Sequence, residues 1–307
     1  PFSLSAVAAV SKAIADFKPD VVNAHYMVHT GLAAVAGSKR YGVPLVLTFP
    51  GRDVPGPGTP WFWKFYCRWA AAQADDVTYI TDFCRRAIYD GKPGRRGHII
   101  EPGVDLNAFR PGVDGSSIRG RLGFDADTPV LFAMQRLSDE KRVDVVIESF
   151  AIVSKKRPGA RLVIGGTGPS LPALQALAGK LGLGDTVLFT GYISDEDLPR
   201  YYAMADVFVF HSAYETFGIV LAEAMAAGTP VVSVDHTAIP DVVTDRDTGV
   251  LVPPFDPAAM ARAVGELLEN PSERARLSAN ARLWVEKNLA WDRIADRYEE
   301  VLKAVVR

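Results

Sequence analysis

Two carboxylates, Glu215 and Glu223, carry the clearest chemical signal in this sequence. They lie within residues 210–232, FHSAYETFGIVLAEAMAAGTPVV. An apolar run ends near Phe210, a polar loop follows, and a helical period begins at about Gly218. Open α/β sheets bind ligands beyond the carboxyl ends of their strands, so this loop would face a binding crevice. The N–H groups of Thr216, Phe217, Gly218 and Ile219 would point from the helix start toward an anion. Gly218 lacks a Cβ, which lets a phosphate come close. A carboxylate accepts two hydroxyls and donates none, so one acid of the pair suits a sugar ring and the other the cis-diol of a ribose. The competing explanation is a helix N-terminus whose acids complement its dipole. It accounts for Glu215, but poorly for Glu223, which falls inside an otherwise apolar helix face. Spacing alone leaves both readings standing.

The elements that must position these residues are short β-branched runs alternating with helical stretches. Strands are expected at residues 20–24, 44–49, 76–81 and 98–101, then at 129–134, 161–165, 187–190, 207–210 and 230–234. Helices are expected at 143–155, 170–181 and 219–227, and from Pro257 onward almost throughout. This alternation implies an α/β protein with parallel sheets covered by helices on both faces. A Gly- and Pro-punctuated stretch at residues 102–112 (PGVDLNAFRPG) separates two such sheets. The expected domains are 1–110 and 111–288, with the last helix, residues 289–307, returning to the first. The aromatic cluster at residues 61–66 follows the VPGPGTP loop and reads as one face of an amphipathic core helix rather than a sugar-stacking platform.

Composition excludes several classes. Lys and Arg number 34 against 36 Asp and Glu, so no global field recruits nucleic acid. Lys155-Lys156-Arg157 and Arg95-Arg96 read as solvated loops, with contact to anionic lipid as the lesser alternative. Cys67 and Cys84 show no paired spacing, which argues against a disulfide framework or a zinc site and fits a reducing compartment. No apolar run reaches the ~18–20 residues that cross a bilayer. The opening PFSLSAVAAVSKAIADF reads as an amphipathic helix and not a signal peptide. A cytoplasmic protein is expected, with peripheral membrane contact left open. Asp125/Asp127, Asp195/Asp197 and Asp245/Asp247 fall in polar loops, and none ends an apolar strand where a sugar-nucleotide metal would sit. They read as turn residues, and no metal is expected.

Further motifs follow one another along the chain: GVDLNAFRP (103–111), QRLSDEKRVD (135–144), GGTGP (165–169), GYISDEDLPRYYAMADVFVF (191–210) and DTGVLVPPFD (247–256). Together with ETFG and EAMAAGTPVV, their order over residues 102–256 resembles glycosyltransferase family 4. The resemblance implies a GT-B fold, with two Rossmann-like domains facing a cleft, and a retaining, metal-independent transfer that needs no cofactor beyond the donor substrate. It implies that Arg136 and Lys141 hold the donor diphosphate, Glu215 the sugar and Glu223 the ribose. Gly191, Tyr192 and Ile193 would border the base, and the amides of Thr216 through Ile219 would lie nearby. Pro50 stands in TFPGRDV where the family usually has a histidine, so His25 becomes the candidate to substitute for it. Thr237-Ala238 stand where the family has paired glycines. The sequence opens in the helix before DVVNAH, so the N-terminal, acceptor-side domain is expected to be incomplete.

The expected activity is transfer of a hexose-like group from a UDP- or GDP-sugar to an unidentified acceptor, whether glycan, lipid or small molecule. The alternative is a nucleotide-sugar-binding module, or an inactive truncated transferase without a complete acceptor site. A sugar-nucleotide epimerase or a phosphorylase fits the motifs less well. A glycosidase needs two carboxylates facing each other around water, whereas this pair looks like hydroxyl acceptors.

Overall fold

A computed structural model describes residues 4–91 and 97–306, the side chains of residues 28 and 29 excepted. Arg95-Arg96 therefore lie outside the described residues. The chain divides into two compact units, one made of Pro1–Gly103 with Trp291–Arg307 and the other of Val104–Ala290.

The first unit opens with α1 (Leu4–Phe17), β1 (Val22–His25), a single wide turn at Met27–Gly31 and α2 (Leu32–Tyr41). It continues with β2 (Leu45–Phe49), α3 (Trp61–Gln73), β3 (Asp76–Tyr79), α4 (Asp82–Tyr89) and β4 (His98–Ile99). The strands form a parallel sheet in the order β1-β2-β3-β4. Every residue of β2 (LVLTF) is buried, as expected for a strand covered on both faces.

The second unit holds α5 (Ser116–Leu122), β5 (Val130–Met134), α6 (Val143–Lys156), β6 (Arg161–Gly165), α7 (Leu171–Lys180) and β7 (Val187–Gly191). Then come α8 (Leu198–Met204), β8 (Val207–Val209), α9 (Ile219–Ala227), β9 (Val231–Val234), β10 (Val250–Val252), α10 (Pro257–Glu269) and α11 (Pro271–Asn288). Its sheet is parallel with strand order β10-β9-β8-β5-β6-β7. From β5 the chain winds outward to β6 and β7, then crosses to the other side of β5 for β8, β9 and β10. The direction of winding thus reverses between β5 and β8. Leu131, Ala133, Ile147, Phe150, Leu162 and Val264 form part of a fully buried core between this sheet and its helices.

The last helix, α12 (Trp291–Val305), belongs to the first unit, where Ile294 and Val301 pack with Val46 and Ile100. Arg297 reinforces the seam by donating to Glu101 Oε2 at 2.7 Å and to the Ile99 carbonyl.

The aromatic cluster at residues 61–66 corrects one expectation. It is helical and it divides: Trp61, Phe62 and Phe65 are 83%, 54% and 67% exposed, whereas Trp63 and Tyr66 are half-buried and donate to the Asp53 and Met27 carbonyls at 2.9 and 3.2 Å. The residues fully buried on the inward face are small, Cys67, Ala70 and Ala71. Their spacing follows the helical period as well as the aromatics do, and small side chains allow closer packing. Strand β10 (VLV) also lies outside the expected set.

Ile294→Ala removes a buried anchor of α12 and should cost about 2–5 kcal/mol. Chemical denaturation should show the first unit unfolding at lower denaturant while the second keeps its midpoint. An unshifted first transition would show that α12 adds nothing to that core.

Candidate functional site

The reversal between β5 and β8 parts two loops at the carboxyl edge of the sheet, residues 135–142 and 210–218. Connections leaving to opposite faces open a crevice there, which is where open α/β sheets bind ligands. The loops are tied to each other, since Ala213 N–H donates to the Glu140 carbonyl at 2.8 Å. Next to this tie, Lys141 Nζ donates to Glu215 Oε2 at 2.7 Å, with the two side chains 19% and 14% exposed. The other carboxylate oxygen of Glu215 accepts the Thr216 N–H at 3.1 Å.

Gly218 follows with φ 85°, a left-handed conformation that glycine adopts without strain, and caps the start of α9. A Cβ there would lie 2.9 Å from Leu221 Cδ1 and 3.5 Å from Glu215 Cγ. Gly218 thus brings the start of α9, where helical N–H groups lack intrahelical acceptors until Leu221 donates to the Gly218 carbonyl at 2.9 Å, beside the ion pair. Phe217 is buried and Ile219 half-exposed at this corner.

Helix α9 (IVLAEAMAA) is apolar almost all round and buries Leu221, Ala222, Ala224, Met225 and Ala226. Glu223 is the exception. Its Oε2 accepts the Tyr202 hydroxyl at 2.8 Å. Burial pushes the Glu223 carboxyl up from 4.5 to about 7; the Tyr202 bond opposes this and the Asp195 charge adds to it. Burial, with Glu223 nearby, also holds the Tyr202 phenol well above its ordinary value.

The glycine turn at residues 165–169 interlocks with the loop after β5. A Cβ on Gly166 would sit 2.0 Å from the Gln135 carbonyl oxygen, and one on Gly168 2.1 Å from that of Leu137. Leu137 N–H donates to the Thr167 carbonyl at 2.9 Å. These glycines therefore serve close backbone approach and hold the Arg136–Lys141 loop. Gly191 joins the turn by accepting the Gly166 N–H at 2.7 Å. Ile193 is buried against Gly165, while Tyr192 is 74% exposed.

Lys141, Glu215 and Gly218 are thus gathered at one point, and Glu223 lies on the helix that starts there. Arg136 is exposed two residues past the end of β5, on the same edge of the sheet. His25 ends β1 in the first unit, its ring centroid 6.2 Å from that of Tyr298, and burial lowers its pKa. Two further residues support the acids, and only Thr237 had drawn notice in the sequence, as a departure from the family's paired glycines. Tyr202 reaches Glu223 from inside the core, and Thr237 Oγ1 accepts the Glu215 N–H at 3.2 Å. Thr237 has φ 53°, a conformation that favours glycine.

Among the described residues no three His, Cys, Asp or Glu side chains are grouped to hold a metal ion. Asp197 pairs with Arg121 at 3.0 Å, and Asp245 Oδ1 accepts the Leu251 N–H at 2.8 Å. No helix among the described residues is long and apolar enough to cross a membrane.

Residues 115–284 match the family model described as glycosyl transferases group 1, and residues 1–108 match that of glycosyltransferase family 4. A D-inositol 3-phosphate glycosyltransferase of Streptomyces scabiei is 32% identical, over 94% of this chain and 68% of that protein. A GDP-mannose-dependent alpha-(1-6)-phosphatidylinositol monomannoside mannosyltransferase of Mycolicibacterium smegmatis is 34% identical over 75% of this chain. The chain spans 62% of that relative's length. Among solved structures, Anabaena HepE in complex with UDP superposes with a TM-score of 0.87 at 24% identity, covering 97% of this chain and 82% of that one. Sucrose-phosphate synthase from Thermosynechococcus elongatus gives a TM-score of 0.80 at 26% identity, covering 97% and 76%.

The raised Glu223 pKa fixes the sign of a stability effect. Between pH 4.5 and 7 the folded chain binds more protons than the unfolded one, so stability falls as pH rises through that window. The loss is complete above pH 7 and amounts to about 3 kcal/mol at most. Glu223→Gln should therefore raise the melting temperature by several degrees at pH 8 and change it little at pH 4. Equal melting points at pH 8 would mean that the carboxyl is well solvated.

Proposed function

Because this chain belongs to glycosyltransferase family 4, with the GT-B fold, we propose that it transfers a sugar from a UDP- or GDP-sugar to an acceptor hydroxyl with retention of configuration and without a metal. The observation that carries this reading is the meeting of Lys141 and Glu215 at 2.7 Å beside Gly218. An ammonium group has three donors. Lys141 can keep one on Glu215 and turn the others to a diphosphate at the start of α9. As the bond from the anomeric carbon to the diphosphate oxygen breaks, negative charge grows on the leaving group. Lys141, Arg136 and the N–H groups of Phe217 and Gly218 are cations and dipoles placed in advance to stabilise it. Glu215 and Glu223 accept hydroxyls of the sugar and the ribose, and Gly191, Tyr192 and Ile193 border the base.

The relatives support the donor and narrow the acceptor. One is named for GDP-mannose, and HepE was solved with UDP. Their names carry inositol phosphate and phosphatidylinositol mannoside, so inositol-type polyols are the first acceptors to try. A second reading, donor binding without transfer, is favoured by Pro50, which offers no side-chain donor or charge where the family usually has a histidine. His25 is the residue that transfer would then rely on in the first unit.

A thermal-shift panel of UDP, GDP and their sugars tests the site directly. A true donor at a hundred times its Kd stabilises the fold by about 2.7 kcal/mol. Lys141→Met loses charge-assisted bonds worth about 1.5–3 kcal/mol and should weaken that ligand roughly ten- to a hundredfold. Unchanged affinity in the variant would remove the diphosphate assignment. Release of nucleoside diphosphate only when an acceptor is added establishes transfer over binding alone.

A further inference from the structure

Glu223 is an unusual residue to rely on, because a carboxylate inside an apolar helix is free to rotate away or to take up a proton. What holds it is on the neighbouring helix. We propose that Tyr202 is a positioning residue for donor recognition: its hydroxyl fixes Glu223 Oε2, so that Oε1 is presented, ionised, to the two ribose hydroxyls. This inference rests on the reading of Glu223 as the ribose acceptor.

The geometry is specific. Tyr202 has no exposed surface, and its ring is clamped edge-on by Phe132, Phe208 and Phe109, with centroids 5.4, 5.3 and 5.8 Å away. Its carbonyl accepts the Thr229 hydroxyl at 2.9 Å, which fixes the backbone at the end of α8. A ring held on three sides leaves its hydroxyl one direction, and there it meets Glu223 Oε2 at 2.8 Å. Oε1 makes no hydrogen bond to any described residue. An ionised carboxylate only accepts, so one oxygen on Tyr202 leaves the other's lone pairs for a diol.

The same bond works against the loss of charge. Burial favours the neutral acid, and the Asp195 carboxylate, in the loop before α8, works in the same direction. The Tyr202 bond is the protein contact that favours ionisation. From α11, Arg282 is turned to the Ala226 carbonyl at the far end of α9, at 2.7 Å, and not to Glu223. Since a neutral Glu223 accepts poorly and competes with its own proton, ribose recognition should fade as pH falls through about 7.

Tyr202→Phe keeps the ring packing and removes only the hydroxyl. The probes are UDP and GDP with their 2′,3′-dideoxy counterparts, titrated calorimetrically from pH 6 to 9. The ratio of ribo to dideoxy affinity cancels the ionisation of the diphosphate itself. In the parent chain that ratio should exceed about tenfold at high pH and fall toward one as pH drops through about 7. In Tyr202→Phe the midpoint should move to higher pH and the ratio at pH 7.5 should shrink severalfold, with dideoxy affinity unchanged. A variant that lowers both affinities alike, with the midpoint unmoved, would show that Tyr202 only packs. That result sinks this inference alone. A parent chain that binds both forms equally removes Glu223 as the ribose acceptor, and the role of Tyr202 with it.

Discussion

Everything in the second unit is arranged around the place where its sheet reverses. Strand β5 sends its chain one way and β8 sends it the other, so the loops at their carboxyl ends leave toward opposite faces of the sheet while staying tied by the Ala213–Glu140 hydrogen bond. The Lys141–Glu215 pair links the same two loops. It is largely withdrawn from water, and ion pairs in such places gain little over well-packed apolar side chains. Its value is positional. It places a cation and a carboxylate beside Gly218, at the start of a helix.

The cost of this arrangement is visible around it. Arg142, Thr237 and Phe255 adopt φ values of 46°, 53° and 59°, in the region where L side chains are strained, and all three lie in loops near the site. The strain is held by local contacts. The Arg142 guanidinium lies 5.0 Å from the centroid of the Phe255 ring, and Phe255 N–H donates to His211 Nε2 at 3.1 Å. Burial, with Arg142 nearby, keeps His211 neutral by lowering its pKa to about 4. Glu223 is the sharpest case of the same conflict, a carboxylate placed where its ionised form lowers stability. Carboxyls shifted in this way are concentrated at functional sites across proteins.

Much of the fold was legible because strands buried on both faces read as unbroken apolar runs, as in VLFAM of β5 and LVIG of β6. The glycines at 166 and 168 were legible as a turn, but their reason, backbone packing against Gln135 and Leu137, belongs to the tertiary structure. Strand β10 offers only three residues between Gly249 and Pro253, too few for a period to show. In α3 both the aromatic and the small residues follow the helical period, so pattern alone does not say which face turns inward. Tyr202 was silent for a different reason. Its ring belongs to the core and only its hydroxyl reaches the site, so composition and spacing register it as packing.

Where a nucleoside diphosphate lies decides whether this edge of the sheet is a donor site. A crystal structure of the chain soaked with UDP or GDP measures that directly. The diphosphate is expected within hydrogen-bonding distance of the Phe217 and Gly218 N–H groups and of Lys141 Nζ, with both ribose hydroxyls on Glu223. A nucleotide bound away from the carboxyl ends of β5 and β8, with the Lys141–Glu215 pair facing only solvent, would contradict that placement.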